Sequence, residues 1–320
     1  LPPGGNEKQG QEYIYNKISK FFPEKDMEIF DIDEVQGIRE NPFFFPTIDG
    51  VMKNYKGRPN LVAKLEGAGK GRNLAFSGHI DTMPDYGKKW TVFEDPYSGK
   101  IKDGKMYGRG TADMKAGTLA GFLALQCLKD LDVKLKGNVF AESVVDEENG
   151  GVNGTIAARL KNPDIDFAIV PELTNLKIGI ETLGGTDWKI TVSEKGAGGI
   201  GADVDLSNPI YKLSKIALAL EKYDQLIKEI KAPSSYSKDL KIKLLTYQFY
   251  SGGSTYLESG AVPTEGHIYF WLEAYSFMDE KSYKKEFLDF MKRELGRSDE
   301  FKDNFPKIEN VIRFLYGHKT

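Results

Sequence analysis

The chain reads as an α/β protein in two parts, a sheet domain over residues 1–185 and a separate α+β unit over residues 186–314. Three observations support this. Its 320 residues suggest about two domains. Strand-length apolar runs alternate with segments of helical periodicity, the pattern of an α/β sheet that presents ligands at its strand ends. Past LGGTDWKITVSEKG the chain leaves that sheet for strands and two long amphipathic helices of their own.

Residues 7–22 open the first part as an amphipathic helix with Tyr13, Ile14, Ile18 and Phe21 at helical spacing. NPFFFPTIDG sets three phenylalanines between prolines and is expected to be a packed loop, a hydrophobic cover over the domain edge. RPNLVAKLEG is a strand, GAGKGRN a turn, and NLAFSGHID the next strand, running into His79 and Asp81. Extended residues two apart point the same way, so imidazole and carboxylate leave the strand together, an arrangement that suits a metal-bound histidine and its orienting acid. Alone, a His-x-Asp pair is more often a hydrogen-bonded structural pair.

GKIKDGKMYGRG reads as a hairpin turning on Asp103-Gly104, and it delivers Asp113 to the start of a helix with Leu119, Phe122 and Leu123 on its apolar face. Asp113 at that place could equally be a helix cap. Cys127, the single cysteine, lies among Leu123, Leu125 and Leu128 and is expected in the core. GNVFAESVVDEENGG is a strand ending in Asp146, Glu147 and Glu148, three carboxylates that repel unless hydrated or matched by cations. DFAIVPELT repeats the plan and ends in Glu172. His79, Asp113, Glu147 with Glu148, and Glu172, gathered on one sheet edge, make a carboxylate-rich metal centre.

In the second part, Asp187 to Ser193 is a strand, and Asn208-Pro209 opens a helix with Ile210, Leu213, Ala217 and Leu220 as its apolar stripe. Strands follow near 240–250 and 266–273, then a helix with Tyr283, Phe287, Met291 and Leu295, then a strand near 308–314.

Composition narrows the partners. With 40% hydrophobic and 28% charged residues and a net charge of -3, nothing asks for nucleic acid or an anionic membrane. No apolar run approaches the roughly 20 residues of a transmembrane helix, and the N-terminus lacks a signal-peptide pattern. One cysteine excludes an internal disulfide and a cysteine-rich zinc site and fits a reducing compartment, so a cytoplasmic location is expected. With only three histidines, a metal site must be built mostly of carboxylates.

GHIDTMP, the tryptophan before DPYSGKIKDGKMYGRGTADMKAG, VVDEENGG and VPELT together resemble the zinc-dependent family of acetylornithine deacetylase, succinyl-diaminopimelate desuccinylase, aminoacylase and carboxypeptidase G. Order, spacing and flanking glycines agree from about Gly10 to Gly185. The resemblance implies a zinc-hydrolase (aminopeptidase-like) catalytic sheet domain with an inserted α+β lid that mediates homodimerisation. It implies two Zn²⁺ ions, with Co²⁺ or Mn²⁺ as possible substitutes, bridged by Asp113, with His79 and Glu172 on one and Glu148 on the other. Asp81 would orient His79, and Glu147 would be the general base. The implied activity is hydrolysis of the amide bond of an N-acyl amino acid or small peptide, leaning to deacetylase or desuccinylase. A dipeptidase or carboxypeptidase, or a non-catalytic relative that binds or dimerises, are the alternatives.

Three departures stand against the family pattern. Gly198 stands about where the family commonly has a lid histidine, removing a source of oxyanion stabilisation. In SGAVPTEGHIYFWLEAY, glycine or alanine stands where asparagine usually precedes the proline, and the family's substrate-binding arginine has no clear equivalent; His267 there reads as a surface or packing residue. Residues 315–320 would begin the return to the catalytic domain, whose closing part and last zinc-binding histidine are expected to lie outside this sequence, His318 being no confident substitute. A first residue of Leu1 rather than Met likewise points to a processed or partial end.

Overall fold

The computed structural model describes residues 7–45, 47–48, 51–148, 152–180, 182–194, 208–252 and 262–311. Gly198, Gly260, Ala261 and His318 lie outside these. The chain divides into two compact units, Leu1–Ile178 and Gly179–Thr320, a break ahead of residue 185.

The first unit runs α1 (Glu7–Ile18), β1 (Met27–Asp31), β2 (Thr47–Ile48), β3 (Val51–Met52), β4 (Pro59–Leu65), β5 (Leu74–His79), β6 (Lys100–Lys102), β7 (Lys105–Tyr107), α2 (Ala116–Asp130), β8 (Val139–Val144), α3 (Asn153–Lys161) and β9 (Phe167–Ile169). Its main sheet has the order β1-β4-β8-β5-β9, antiparallel from β1 to β8 and parallel from β8 through β5 to β9. All six residues of β8 are buried, as a central strand covered on both faces requires. Ala141 faces α2 beside Gly121 and Phe76, while its neighbour Glu142 turns the other way to pair with Arg159 of α3. The expected hairpin forms with Lys102 opposite Lys105, and Asp103 and Gly104 both take positive φ (52° and 71°), the signature of a type I′ turn.

Several packing expectations are corrected. The inner face of α1 is Glu7, Gln11, Ile14 and Ile18, while Tyr13 and Phe21 are exposed. Burying Glu7 is supported by its ion pair with buried Arg58 (2.8 Å), and Gln11 by donation to the carbonyls of Pro59 and Ser143. Phe43 of the triple-phenylalanine loop is exposed, and Phe44 packs against the core. On α2 the buried residues are Thr118, Gly121, Phe122 and Leu125, so Leu119, Leu123 and Cys127 face solvent; the apolar pattern of this helix is wider than the stripe it buries.

The second unit comprises β10 (Gly184–Ser193), α4 (Pro209–Ile227), β11 (Leu244–Ser251), β12 (Glu265–Ala274), α5 (Glu280–Leu295) and β13 (Lys307–Asn310). Its strands form one antiparallel sheet in the order β11-β12-β10-β13. Asn208 caps α4 by accepting from the Ile210 N–H (2.9 Å), with Pro209 in the first turn, and Asp279 caps α5 through Ser282. Tyr283, Phe287, Met291 and Leu295 are all buried as their spacing predicts; on α4, Ile210 is exposed and Ile216, Ala219 and Tyr223 join Leu213 and Leu220 inside. Phe287 sits among Trp188, Tyr223 and Phe270 with ring centroids 5.0–5.4 Å away. His267 lies on β12 beside Thr191 and pairs with Glu265 (3.0 Å). Among the described residues, no helix is long and apolar enough to cross a membrane.

Candidate metal centre

His79 is the last residue of β5, and 1% of its side chain is exposed. Around its Nε2 atom the first unit gathers carboxylates from three other segments: Asp113 Oδ1 at 3.3 Å, Glu147 Oε2 at 3.6 Å and Glu172 Oε1 at 3.6 Å. Donor atoms of His79, Asp113 and Glu148 all lie within 4.8 Å of one another. The structure therefore brings together all five residues that the sequence gathers from separate strand ends and helix starts.

Each is placed by local chemistry. Asp113 lies in an irregular turn, Thr111–Lys115, and is itself extended (φ -115°, ψ 97°); its side chain caps no helix, which removes the cap reading. Buried Thr118 ties this turn to β5, its hydroxyl lying 3.0 Å from the His79 carbonyl and 3.2 Å from that of Met114. Glu172 follows β9 in a turn rather than ending the strand, since β9 stops at Ile169. At Gly117 the Pro171 carbonyl oxygen lies only 1.9 Å from where a Cβ would stand, so a residue without one lets the Glu172 turn approach the start of α2. Gly117→Ala is expected to cost about 1–3 kcal/mol of stability and to weaken metal binding together, measured by denaturant unfolding and metal titration.

Asp81 differs from expectation. His79 Nδ1 donates to the backbone carbonyl of Asp81 (2.9 Å), and the Asp81 carboxylate stands 3.7 Å away. That carboxylate instead accepts the Glu148 N–H at Oδ2 (3.1 Å), and Glu148 Oε1 accepts from the Met83 N–H (3.2 Å). Asp81 thus fixes the ring through its main chain and the Glu148 turn through its side chain. Asp146 also leaves the group: it is buried against Lys53 and Tyr55. Lys115, unassigned from sequence, is a nearby cation; burial holds its pKa below the ordinary value, against the pull of Asp81, Glu148 and Asp113.

The donor set fits a divalent cation. A carbonyl can only accept, so Nδ1 carries the proton and the neutral ring turns the Nε2 lone pair toward the carboxylates. Lone pair and carboxylates repel unless a proton or cation lies between them, and one nitrogen with several carboxylate oxygens suits Zn²⁺, Co²⁺ or Mn²⁺. Without metal, protons do that work. Glu147 is pushed up to about 7 from 4.5, first by burial, with Asp81, Glu172 and Glu148 adding and His79 opposing. Asp81, Glu148 and Glu172 are raised too, burial leading. Burial lowers His79, but the surrounding carboxylates outweigh it and the net shift is upward.

Groups with raised values bind protons more tightly when folded. Their cost to stability is absent at low pH and appears as pH rises, for Glu147 between 4.5 and about 7. Metal-free protein should therefore melt higher at about pH 5.5 than at about pH 8, and Zn²⁺, by displacing these protons, should reduce or reverse that difference. Thermal melts with and without chelator check this.

The profile of the peptidase family M20/M25/M40 matches residues 75–284. Over 180 residues the chain is 34% identical to succinyl-diaminopimelate desuccinylase of Methylobacterium radiotolerans, covering 52% of this chain and 44% of that one. Over 127 residues it is 32% identical to N-formyl-4-amino-5-aminomethyl-2-methylpyrimidine deformylase of Bacillus subtilis, covering 39% and 29%. The matched segments thus span less than half of these relatives. In fold it is similar to the dipeptidase Dug1p from Saccharomyces cerevisiae, with a TM-score of 0.64, 14% identity, and coverage of 96% of this chain and 72% of that one.

Proposed function

Because the chain belongs to the peptidase family M20/M25/M40, we propose that it is part of a metal-dependent hydrolase that cleaves the amide bond of an N-acyl amino acid or small peptide. The observation that carries this reading is the convergence of His79, Asp113 and Glu148 donor atoms within 4.8 Å, with Glu147 and Glu172 beside them. Desuccinylase and deformylase relatives both remove an acyl group, which favours an acyl-amine substrate.

In this reading His79 and Glu172 would hold one Zn²⁺ ion and Glu148 the other, with Asp113 serving both. When bound, such ions supply Lewis-acid polarisation of the scissile carbonyl and lower the pKa of a water molecule. Glu147 takes the proton of the attacking water on a carboxylate oxygen and delivers it to the leaving amine nitrogen. Distance alone does not separate base from ligand, since Glu147 and Glu172 both stand 3.6 Å from the ring nitrogen. One feature favours Glu147 as base: Glu148, not Glu147, is anchored at both its N–H and its carboxylate. Asp81 positions both His79 and the Glu148 turn.

The second unit serves as the lid and dimerisation domain of a cytoplasmic homodimer. Edge strand β11 exposes Leu245 and Tyr250, opposite Trp271 and His267 of β12, with the exposed Tyr247 ring beside Tyr269, an apolar surface of the kind a partner copy covers; sedimentation should give a dimer. The function is tested by incubating Zn²⁺-loaded and chelated protein with N-succinyl and N-acetyl amino acids and dipeptides. Metal-dependent release of free amine is expected, and no release from any of them by metal-bound, full-length protein would refute the reading.

A further inference from the structure

Immediately before Glu147 and Glu148 stands Asp146, a carboxylate turned away from the cluster. Its backbone is left-handed (φ 68°), a conformation uncommon outside glycine that persists where the surroundings enforce it. The enforcing contacts come from a distant part of the same unit. Asp146 Oδ2 accepts from the Tyr55 hydroxyl (2.7 Å) and from Lys53 Nζ (2.9 Å), with the Lys53 and Asp146 side chains only 3% and 1% exposed. Asn153 at the start of α3 donates to the Tyr55 hydroxyl and exchanges hydrogen bonds with both backbone groups of Phe45. Asn60 accepts from the Val145 N–H and donates to the Gly154 carbonyl, so both flanks of the turn are clamped as well.

This geometry matters for the two glutamates. Had β8 continued extended, consecutive side chains would point to opposite faces. A left-handed residue at the strand end breaks the alternation, and Glu147 and Glu148 both reach the His79 neighbourhood. We infer that Lys53, Tyr55 and Asn153 are positioning residues: Lys53 and Tyr55 grip Asp146, Asn153 holds the Tyr55 hydroxyl, and together they set the turn that aims base and ligand into the metal cluster. The inference rests on the metal-hydrolase reading above.

Tyr55→Phe tests it, keeping the ring that stacks under Arg58 (5.5 Å) and deleting the hydroxyl. Co²⁺ affinity by chelator competition and the visible spectrum of the Co²⁺ protein report on Glu148 without any assay of turnover. Tyr275→Phe, which removes a hydroxyl bonded to the Leu240 carbonyl in the second unit, is the control for a merely structural loss. Tyr55→Phe should weaken Co²⁺ binding by about tenfold or more and change the spectrum, while Tyr275→Phe should do neither. Lys53→Met and Asp146→Asn each leave one buried charge unpaired, so the double variant should bind Co²⁺ more tightly than either alone; it also serves if Tyr55→Phe does not fold. Wild-type affinity and spectrum in Tyr55→Phe, or a double variant no better than the worse single, overturn the inference alone. A wild-type protein that takes up no Co²⁺ overturns the metal reading and the inference with it.

Discussion

Glu147→Ala is expected to reduce turnover by about 10²–10⁴-fold while Zn²⁺ stays bound. Glu147 is pushed up toward neutrality in the metal-free chain, to about 7, and burial is the main cause. A carboxylate beside the metal ligands that holds no ion itself can take a proton from water and release it to the leaving amine. Its removal leaves the proposed ligands His79, Asp113, Glu148 and Glu172 in place, so the loss of one nearby negative charge should weaken metal binding only modestly. Rate measurements at saturating Zn²⁺ beside metal titrations separate these effects. Parallel loss of metal and activity would make Glu147 a ligand, and unchanged activity would remove it from the chemistry.

Asp113→Ala should abolish metal binding and activity together, weakening Zn²⁺ affinity by more than the roughly 100-fold lost when a supporting residue outside the ligand set is removed. Asp113 approaches the His79 ring nitrogen at 3.3 Å, and its donor atom lies within 4.8 Å of those of both His79 and Glu148. In the proposed centre it is the carboxylate shared between two ions, so its loss disturbs both. The chain should remain folded: the Asp113 side chain is 51% exposed and bears no helix cap. Equilibrium dialysis with metal analysis, beside a melt of the metal-free protein, gives the two readouts.

Much of the site was legible because it is built where strand patterns stop. An apolar run that ends in histidine or acid marks the rim of a sheet, and His79 and the Glu147–Glu148 pair were visible that way. What the spacing of residues could not show was which way each carboxylate turns. Asp146 reads like its two neighbours, yet a left-handed backbone sends it to Lys53 and Tyr55, and Asp81 acts on His79 through its backbone carbonyl. The grip on Asp146 has no local signal at all, since Tyr55 lies 91 positions away. Cys127 failed for a simpler reason: α2 has more apolar residues than its buried face uses, and periodicity cannot choose among them.

The most direct test is the zinc content of wild-type protein and of His79→Ala after equilibrium dialysis. The metal-hydrolase account predicts about two ions per chain in the full-length wild type and a clear loss in the variant. Equal metal content in the two, whether high or absent, would contradict it.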